Sequence, residues 1–388
     1  MTATTIEGDV ICPTTAINNN WAGRARRAIV FFLAAATFSL SFAGTCAEAA
    51  DSYLYLSVGG EDRVAIYRVD ADTGDLQAKG SVDVDGPPGA MAVDPGRTFL
   101  YVGVRKDSGS VAVFRIDPKS GGLTPVGSTA LIADPVYLAI DHTGKYLLMS
   151  SYGAGQAAVY ARNDDGTIGE RPTHTVRTDK NPHSILMDPS NQFVFVPNTG
   201  AHVILQYRFD RDAGRLLRNS PAKVATEEGA GPRHMWFHPS LNVVYFVNET
   251  NSSVSAFDLD PLKGTLTQMQ NLSTLPEGYT EKSYCADIEV TPSGKFVYAS
   301  NRGHDSIAGF AVDPSTGKLT LLGQTPTETW PRSFNIDPTG RFLYSAGQNS
   351  NKLIAYRMDG DTGALEPLKV YEVGKSPSWV QVVEMPSE

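Results

Sequence analysis

The chain is 388 residues long, with 33 Lys and Arg against 42 Asp and Glu and a formal charge of -9. That length supports one large domain or two ordinary ones without disulfide staples, and a composition 41% hydrophobic and 19% charged is that of a folded globular protein, neither disordered nor polytopic. The acidic balance argues against a nucleic-acid partner, which needs a basic face, and the 36 Gly and 24 Pro suit a chain that turns often.

Residues 28–43 form an unbroken apolar and small-residue run behind Arg24, Arg26 and Arg27, ending near Ala47-Glu48-Ala49. A basic region, an apolar core and a small-residue cleavage site make a secretory signal. Residues 1–49 are therefore expected to be a signal peptide, with an uncleaved anchor as the alternative. Residues 50–388 would then be the working domain, periplasmic or secreted, free of the membrane after cleavage. Cys12 and Cys46 fall in the leader and leave Cys285 alone, so no internal disulfide and no multi-thiolate metal site is expected.

Beyond the leader a turn of the form D-x-x-x-G-x-L recurs at 70–76, 117–123, 210–216, 260–266, 313–319 and 359–365, with a shorter version at 163–168. The glycines of these seven copies, Gly74, Gly121, Gly166, Gly214, Gly264, Gly317 and Gly363, are spaced by 47, 45, 48, 50, 53 and 46 residues. Between them lie strand, tight turn and strand, first at 91–102 and again from about Leu138, Ile185, Met235, Ile288 and Phe334. Alternating segments such as 111–116 and 307–312 complete each unit as a four-stranded antiparallel meander. Such sheets bury both faces only against one another, so the repeat predicts an all-β, seven-bladed β-propeller. The chain enters the first unit at 53–56 without an inner strand and ends on an orphan strand at 379–383. The C-terminal strand is thus expected to complete the first blade and close the ring.

Aligning the repeats builds the expected site. Before each inner strand the ring position reads Gly89, Val136, His183, Arg233, Ala286, Arg332 and Ser378; where the second strand ends it reads Arg105, Tyr152, Thr199, Glu249, Arg302 and Gln348, with Gly59 nearest in the first blade. Both sets lie at the same end of their strands, hence on one face of the disc. His183, Arg233, His234, Glu249, Arg302 and Arg332 should converge there from blades four to seven. Three guanidiniums at one mouth repel unless an anion joins them, and the Arg fork suits carboxylate or phosphate. Glu249 reads either as their ion-pair partner or as a base toward water, and His183 and His234 as acid–base groups or as structural residues. The Asp of each D-P-x-G turn, and His238 in its place, read as turn formers. The histidines lack metal-ligand spacing, and no phosphate loop, dinucleotide fingerprint or nucleophile elbow is present, so neither a metal nor a cofactor is expected.

The stretches Gly231-Pro-Arg-His-Met-Trp-Phe-His-Pro239, Val247-Asn-Glu249, Ser300-Asn-Arg-Gly-His-Asp-Ser-Ile307 and Pro331-Arg332 resemble the seven-bladed lactonases, which include propeller-type 6-phosphogluconolactonase and the carboxymuconate lactonising enzyme. The similarity runs from about Ser52 to Val383. It implies that His183, Arg233, Glu249 and Arg302 fall in the family's catalytic or substrate-binding cluster; these four are expected to be catalytic, and Arg332, His234, Asn248 and Asn301 to bind substrate. The chain departs from the family pattern at Asn181, at 198–202 and at 327–330.

The expected activity is hydrolysis of an acidic sugar lactone at the channel mouth by a monomer whose partner is a small anionic lactone. A non-enzymatic anion-binding or interaction propeller and a muconate-type lactonising isomerase are the alternatives.

Overall fold

The computed structural model describes residues 51–386; the expected signal segment lies outside them. Within these residues the chain forms seven four-stranded antiparallel sheets and one short 3-10 turn, Thr199–Ala201. Among the described residues no helix is long and apolar enough to cross a membrane.

Six sheets are sequential meanders, such as Pro232–Phe237, Val243–Asn248, Ser253–Asp260 and Thr265–Ser273 in blade five. The seventh joins the chain ends: the C-terminal strand Pro377–Glu384 pairs antiparallel with Ser52–Val58, Leu54 opposite Val382, as the inner strand of blade one. The expected closure is therefore present.

The alternation of each strand explains how the blades stack. Second strands such as Phe99–Val104 and Phe342–Gly347 are buried on both faces, whereas outer strands such as Leu123–Ala130 are mostly exposed. The core accordingly sits between blades, in clusters that join neighbouring sheets; one packs Tyr344, Ala346 and Leu353 of blade seven against Leu54, Leu56 and Ala65 of blade one.

The repeated turn is the fastener between them. Its Asp caps the loop, as where Asp70 Oδ1 accepts from the amides of Asp72 and Thr73. Its glycine, with φ +64° at Gly121, lies flat on an aromatic ring of the preceding blade: a Cβ there would stand 2.2 Å from the Tyr53 ring. The Tyr55 hydroxyl then donates to the Gly121 carbonyl at 2.9 Å, and Tyr344 repeats the bond to Gly74 across the closure of the ring.

The D-P-x-G turns lie at the same end of the blades as the fasteners, the Ile116 amide donating to the Thr98 carbonyl at 2.8 Å. Asp94 Oδ1 accepts from Thr98 and Phe99, and His238 does the same work through Nδ1, accepting from Ser240 and Leu241. Both are the turn formers the sequence suggested.

Candidate active site

An irregularity common to most inner strands builds the site. In blade five Pro232 opposes Asn248 but His234 opposes Val247, so Arg233 is an extra residue in a β-bulge; in blade seven Arg332 is the extra residue between Pro331 and Ser333. Similar one-residue shifts occur at the start of the inner strands of blades one, two and six. In blade four the ladder breaks between the Pro182 bridge and Leu186, and the break carries His183. A bulge re-aims side chains that plain alternation would send to opposite faces. Arg233 and the next residue, His234, both line the central cavity.

That cavity, about 230 Å³, opens on one face of the disc and is lined by His183, Arg233, His234 and Arg332. Gly59, Gly89, Arg105, Gln348, Ser378 and Trp379 also line it. His183, Arg233, His234 and Arg332 thus share one cavity, as expected.

Glu249 and Arg302 stand behind it. Arg302 Nη2 donates to Glu249 Oε1 at 2.6 Å and to the Cys285 carbonyl at 2.9 Å, and its guanidinium lies over the Trp330 ring. Arg233 Nε faces Glu249 Oε2 at 3.5 Å. Burial alone would raise the Glu249 carboxyl, but Arg233, Arg302 and Arg332 outweigh it and hold the group below its usual range. Glu249 is an ionised bridge between two guanidiniums.

Arg233 is 1% exposed. Its Nη1 donates to the Ala286 carbonyl and to His234 Nε2, the latter at 3.1 Å. Burial, then the Arg302 charge, push its pKa down to about 9, so it remains a cation at neutral pH. Arg332, pushed down to about 10 by burial and by the charges of Arg302 and Arg105, has no hydrogen bond or ion pair among the described residues. Arg105 is held by Asp134 at 2.7 Å.

Both histidines are neutral. Burial first, and Arg233 next, hold His183 well below the usual imidazole value and bring His234 to about 4. His183 Nδ1 is buried without a partner, and its ring stands edge-on to Tyr152 and His234.

Asn248 and Asn301, expected to bind substrate, do not line the cavity. Both are fully buried away from the cavity: Asn248 bonds Ser253 and Ser255, and Asn301 bonds Thr274, Cys285 and Ser306. Each immediately precedes a site residue in the chain, and these bonds secure the strand end. Asn181, where the family pattern differs, sits at φ +58° and donates to the Tyr152 carbonyl. Among the described residues no group of three His, Cys, Asp or Glu is arranged to hold a metal.

Sequence counting missed Asp287. It follows ring position Ala286 as His234 follows Arg233, and its Oδ1 lies 2.7 Å from His234 Nδ1. That equivalence was the available signal. The cavity-lining Trp379 stands at the same position in blade one.

The seven-bladed β-propeller lactonase family model matches residues 62–382, and a second overlapping match covers 40–132. The chain belongs to this family. A 6-phosphogluconolactonase of Erwinia tasmaniensis is 37% identical over 333 residues, 85% of this chain and 84% of that enzyme. A 6-phosphogluconolactonase of Pectobacterium carotovorum is 38% identical over 203 residues, so this chain spans about three fifths of that relative's length, 61%. The solved structure of the periplasmic gluconolactonase of Pseudomonas aeruginosa superposes with a TM-score of 0.81 at 28% identity, covering 87% of this chain and 100% of that one.

Proposed function

We propose that this propeller hydrolyses an aldonolactone in the central cavity and that the chain is exported to act in the periplasm. The observation that carries the reading is Arg332, an unpaired guanidinium on a cavity shared with Arg233 and a neutral His183. The relatives named above, one of them periplasmic, and the leader-like residues 1–49 support it.

Hydrolysis needs a base for water and a cation for the carbonyl oxygen. With its proton on Nδ1, His183 offers the Nε2 lone pair and takes a proton from water as the new C–O bond forms at the lactone carbonyl. Arg332 and the open Nη2 of Arg233 meet the developing oxyanion. Collapse breaks the ring C–O bond as the His183 imidazolium returns its proton to the ring oxygen, which leaves as a hydroxyl; the new carboxyl loses its proton to solvent and the aldonate departs. Glu249, tied to Arg302 and Arg233, positions the guanidiniums in this scheme; His183 is better placed as the base because it lines the cavity.

Charge balance refines the substrate. Arg105, Arg233, Arg302 and Arg332 face three carboxylates, Asp134, Glu249 and Asp287, which leaves one positive charge. That matches a product carrying a single carboxylate better than one that also carries a phosphate dianion. Acid release from purified protein with δ-gluconolactone and with its 6-phosphate tests both points. A higher kcat/KM for the unphosphorylated lactone is expected, and no acceleration of either lactone rejects the activity.

A further inference from the structure

The cavity wall contains a polar relay that the hydrolytic scheme does not use. Asp287 lies in the inner strand Tyr284–Val290 of blade six and is 8% exposed. Its carboxylate draws donors from three blades: His234 Nδ1 of blade five at 2.7 Å, the Ile288 amide of its own strand at 3.1 Å and, at 3.4 Å, the Phe334 amide of blade seven. Its own amide donates to Ser300 Oγ. The group is fixed in place by backbone.

The proton positions follow by elimination. A guanidinium can only donate, so the His234 Nε2 that meets Arg233 Nη1 at 3.1 Å accepts and carries no proton. A neutral imidazole then bears its proton on Nδ1, where the Asp287 carboxylate receives it. Burial would raise the Asp287 carboxyl, yet the His234 contact and the Arg233 charge hold it below the usual range. Because the ring is neutral, the donated hydrogen bond and the guanidinium keep Asp287 ionised.

The consequence falls on Arg233. Nη1 is bound by the Ala286 carbonyl and His234, and Nε faces Glu249, which leaves Nη2 without a protein partner among the described residues. We infer that Asp287 is a positioning residue: by fixing the His234 tautomer it makes Nε2 an acceptor for Arg233 and so aims Arg233 Nη2 into the cavity. The inference that this nitrogen meets substrate rests on the lactonase reading; the relay itself does not. Without the carboxylate the proton is free to move to Nε2, where two N–H groups would confront each other and the guanidinium would lose its aim. An Asp-to-Asn change beside an orienting histidine acts in this way, by trapping the wrong tautomer.

The test reads the tautomer first. Nitrogen-15 imidazole spectra of the wild-type protein, with the His234 signal assigned by its loss in His234→Gln, should show Nδ1 protonated and Nε2 bare at neutral pH. In Asp287→Asn the proton should move to Nε2 or exchange between the two. Gluconate affinity, measured by calorimetry, should fall about tenfold in Asp287→Asn, and kcat/KM roughly 10- to 100-fold, as for other outer partners that orient a functional histidine. The double variant Asp287→Asn/His234→Gln should bind no more weakly than His234→Gln alone, because both substitutions break one relay.

A wild-type His234 protonated on Nε2, or losses that simply add in the double variant, would overturn the inference. The wild-type spectrum decides it even where a variant fails to fold. A wild type that binds no gluconate counts against the lactonase reading alone, since the tautomer is read without ligand.

Discussion

Glu249 Oε1 lies 2.6 Å from Arg302 Nη2, across the gap between blades five and six, while Arg332 on blade seven pairs with no acid among the described residues. This asymmetry separates two arginines that the sequence presents as equivalents. Arg302→Ala leaves Glu249 half-buried and short of one partner, at a cost below the about 3–5 kcal/mol of breaking a fully buried pair, because the carboxylate is 22% exposed. A loss of roughly 2 kcal/mol is expected in chemical denaturation. Arg332→Ala removes a cation that repels Arg302 and orphans no acid, so stability should hold or rise slightly while gluconate binding falls. Equal destabilisation by the two substitutions would contradict this division.

Placing the base on His183 has a kinetic signature. Activity needs the neutral ring, and burial with Arg233 nearby holds its pKa well below 6.5. The acid limb of kcat/KM should therefore lie well below pH 6.5, with a plateau through neutrality. His183→Ala should lower kcat about 100-fold or more, the usual weight of a general base. Glu249→Gln should weaken ligand binding and stability and leave residual turnover. A fully active His183→Ala enzyme would return the base role to Glu249.

The same buried rings make the fold sensitive to mild acid. His183 and His234 have folded pKa values below that of the unfolded chain, so the unfolded state takes up their protons first. Stability they permit at neutral pH is lost as pH falls below about 6.5 toward their folded values, about 1.4 kcal/mol per pH unit for each ring. Glu249 and Asp287, whose pKa values are depressed, add their losses only lower, as pH falls through their folded values. Denaturation midpoints between pH 7 and 5 should thus decline more steeply for the wild type than for His234→Gln.

How much of this was legible follows from what repeats and what does not. The blades could be read because every unit carries the same glycine turn, and because residues 53–56 and 379–383 each lacked a partner that the other supplies. The ring of Arg233, Arg302, Arg332 and Glu249 could be counted out because closure makes equivalent positions neighbours. Counting one residue per blade hid the bulge, which brings Arg233 with His234 and Ser378 with Trp379 to the cavity, and with it Asp287, which backs His234 at 2.7 Å. Asn248 and Asn301 adjoin Glu249 and Arg302 in sequence, but proximity in the chain says nothing of facing: both are buried in hydrogen bonds with neighbouring strands and do not line the cavity.

The fastener between blades gives an expectation remote from the cavity. Gly121 has φ +64° and lies on the Tyr53 ring, so Gly121→Ala meets both backbone strain and a clash with a side chain confined by its own bond to the Lys119 carbonyl. Overpacking of this kind costs about 1–3 kcal/mol, with the positive φ adding to it. Gly229 also has positive φ, +77°, but nothing stands within 4 Å of its Cβ position. Gly229→Ala should lose clearly less stability in the same melting assay, since it carries the strain without the clash.

Closure of the ring by the last strand can be tested by removal. Pro377–Glu384 supplies the inner strand of blade one, pairs with Ser52–Val58 along its whole length, and carries Ser378 and Trp379 into the cavity. A chain ending at Ser376 would expose both the edge of Ser52–Val58 and the apolar side of Leu54 and Leu56, which pack on Val380 and Val382. An unpaired, hydrophobic strand edge promotes association. The truncated chain is expected to aggregate or to melt without a cooperative transition, and adding back a peptide of residues 377–386 should restore part of the transition by strand addition. A truncated chain that stays monomeric and melts like the full one would mean that the ring is held by its other blade contacts alone.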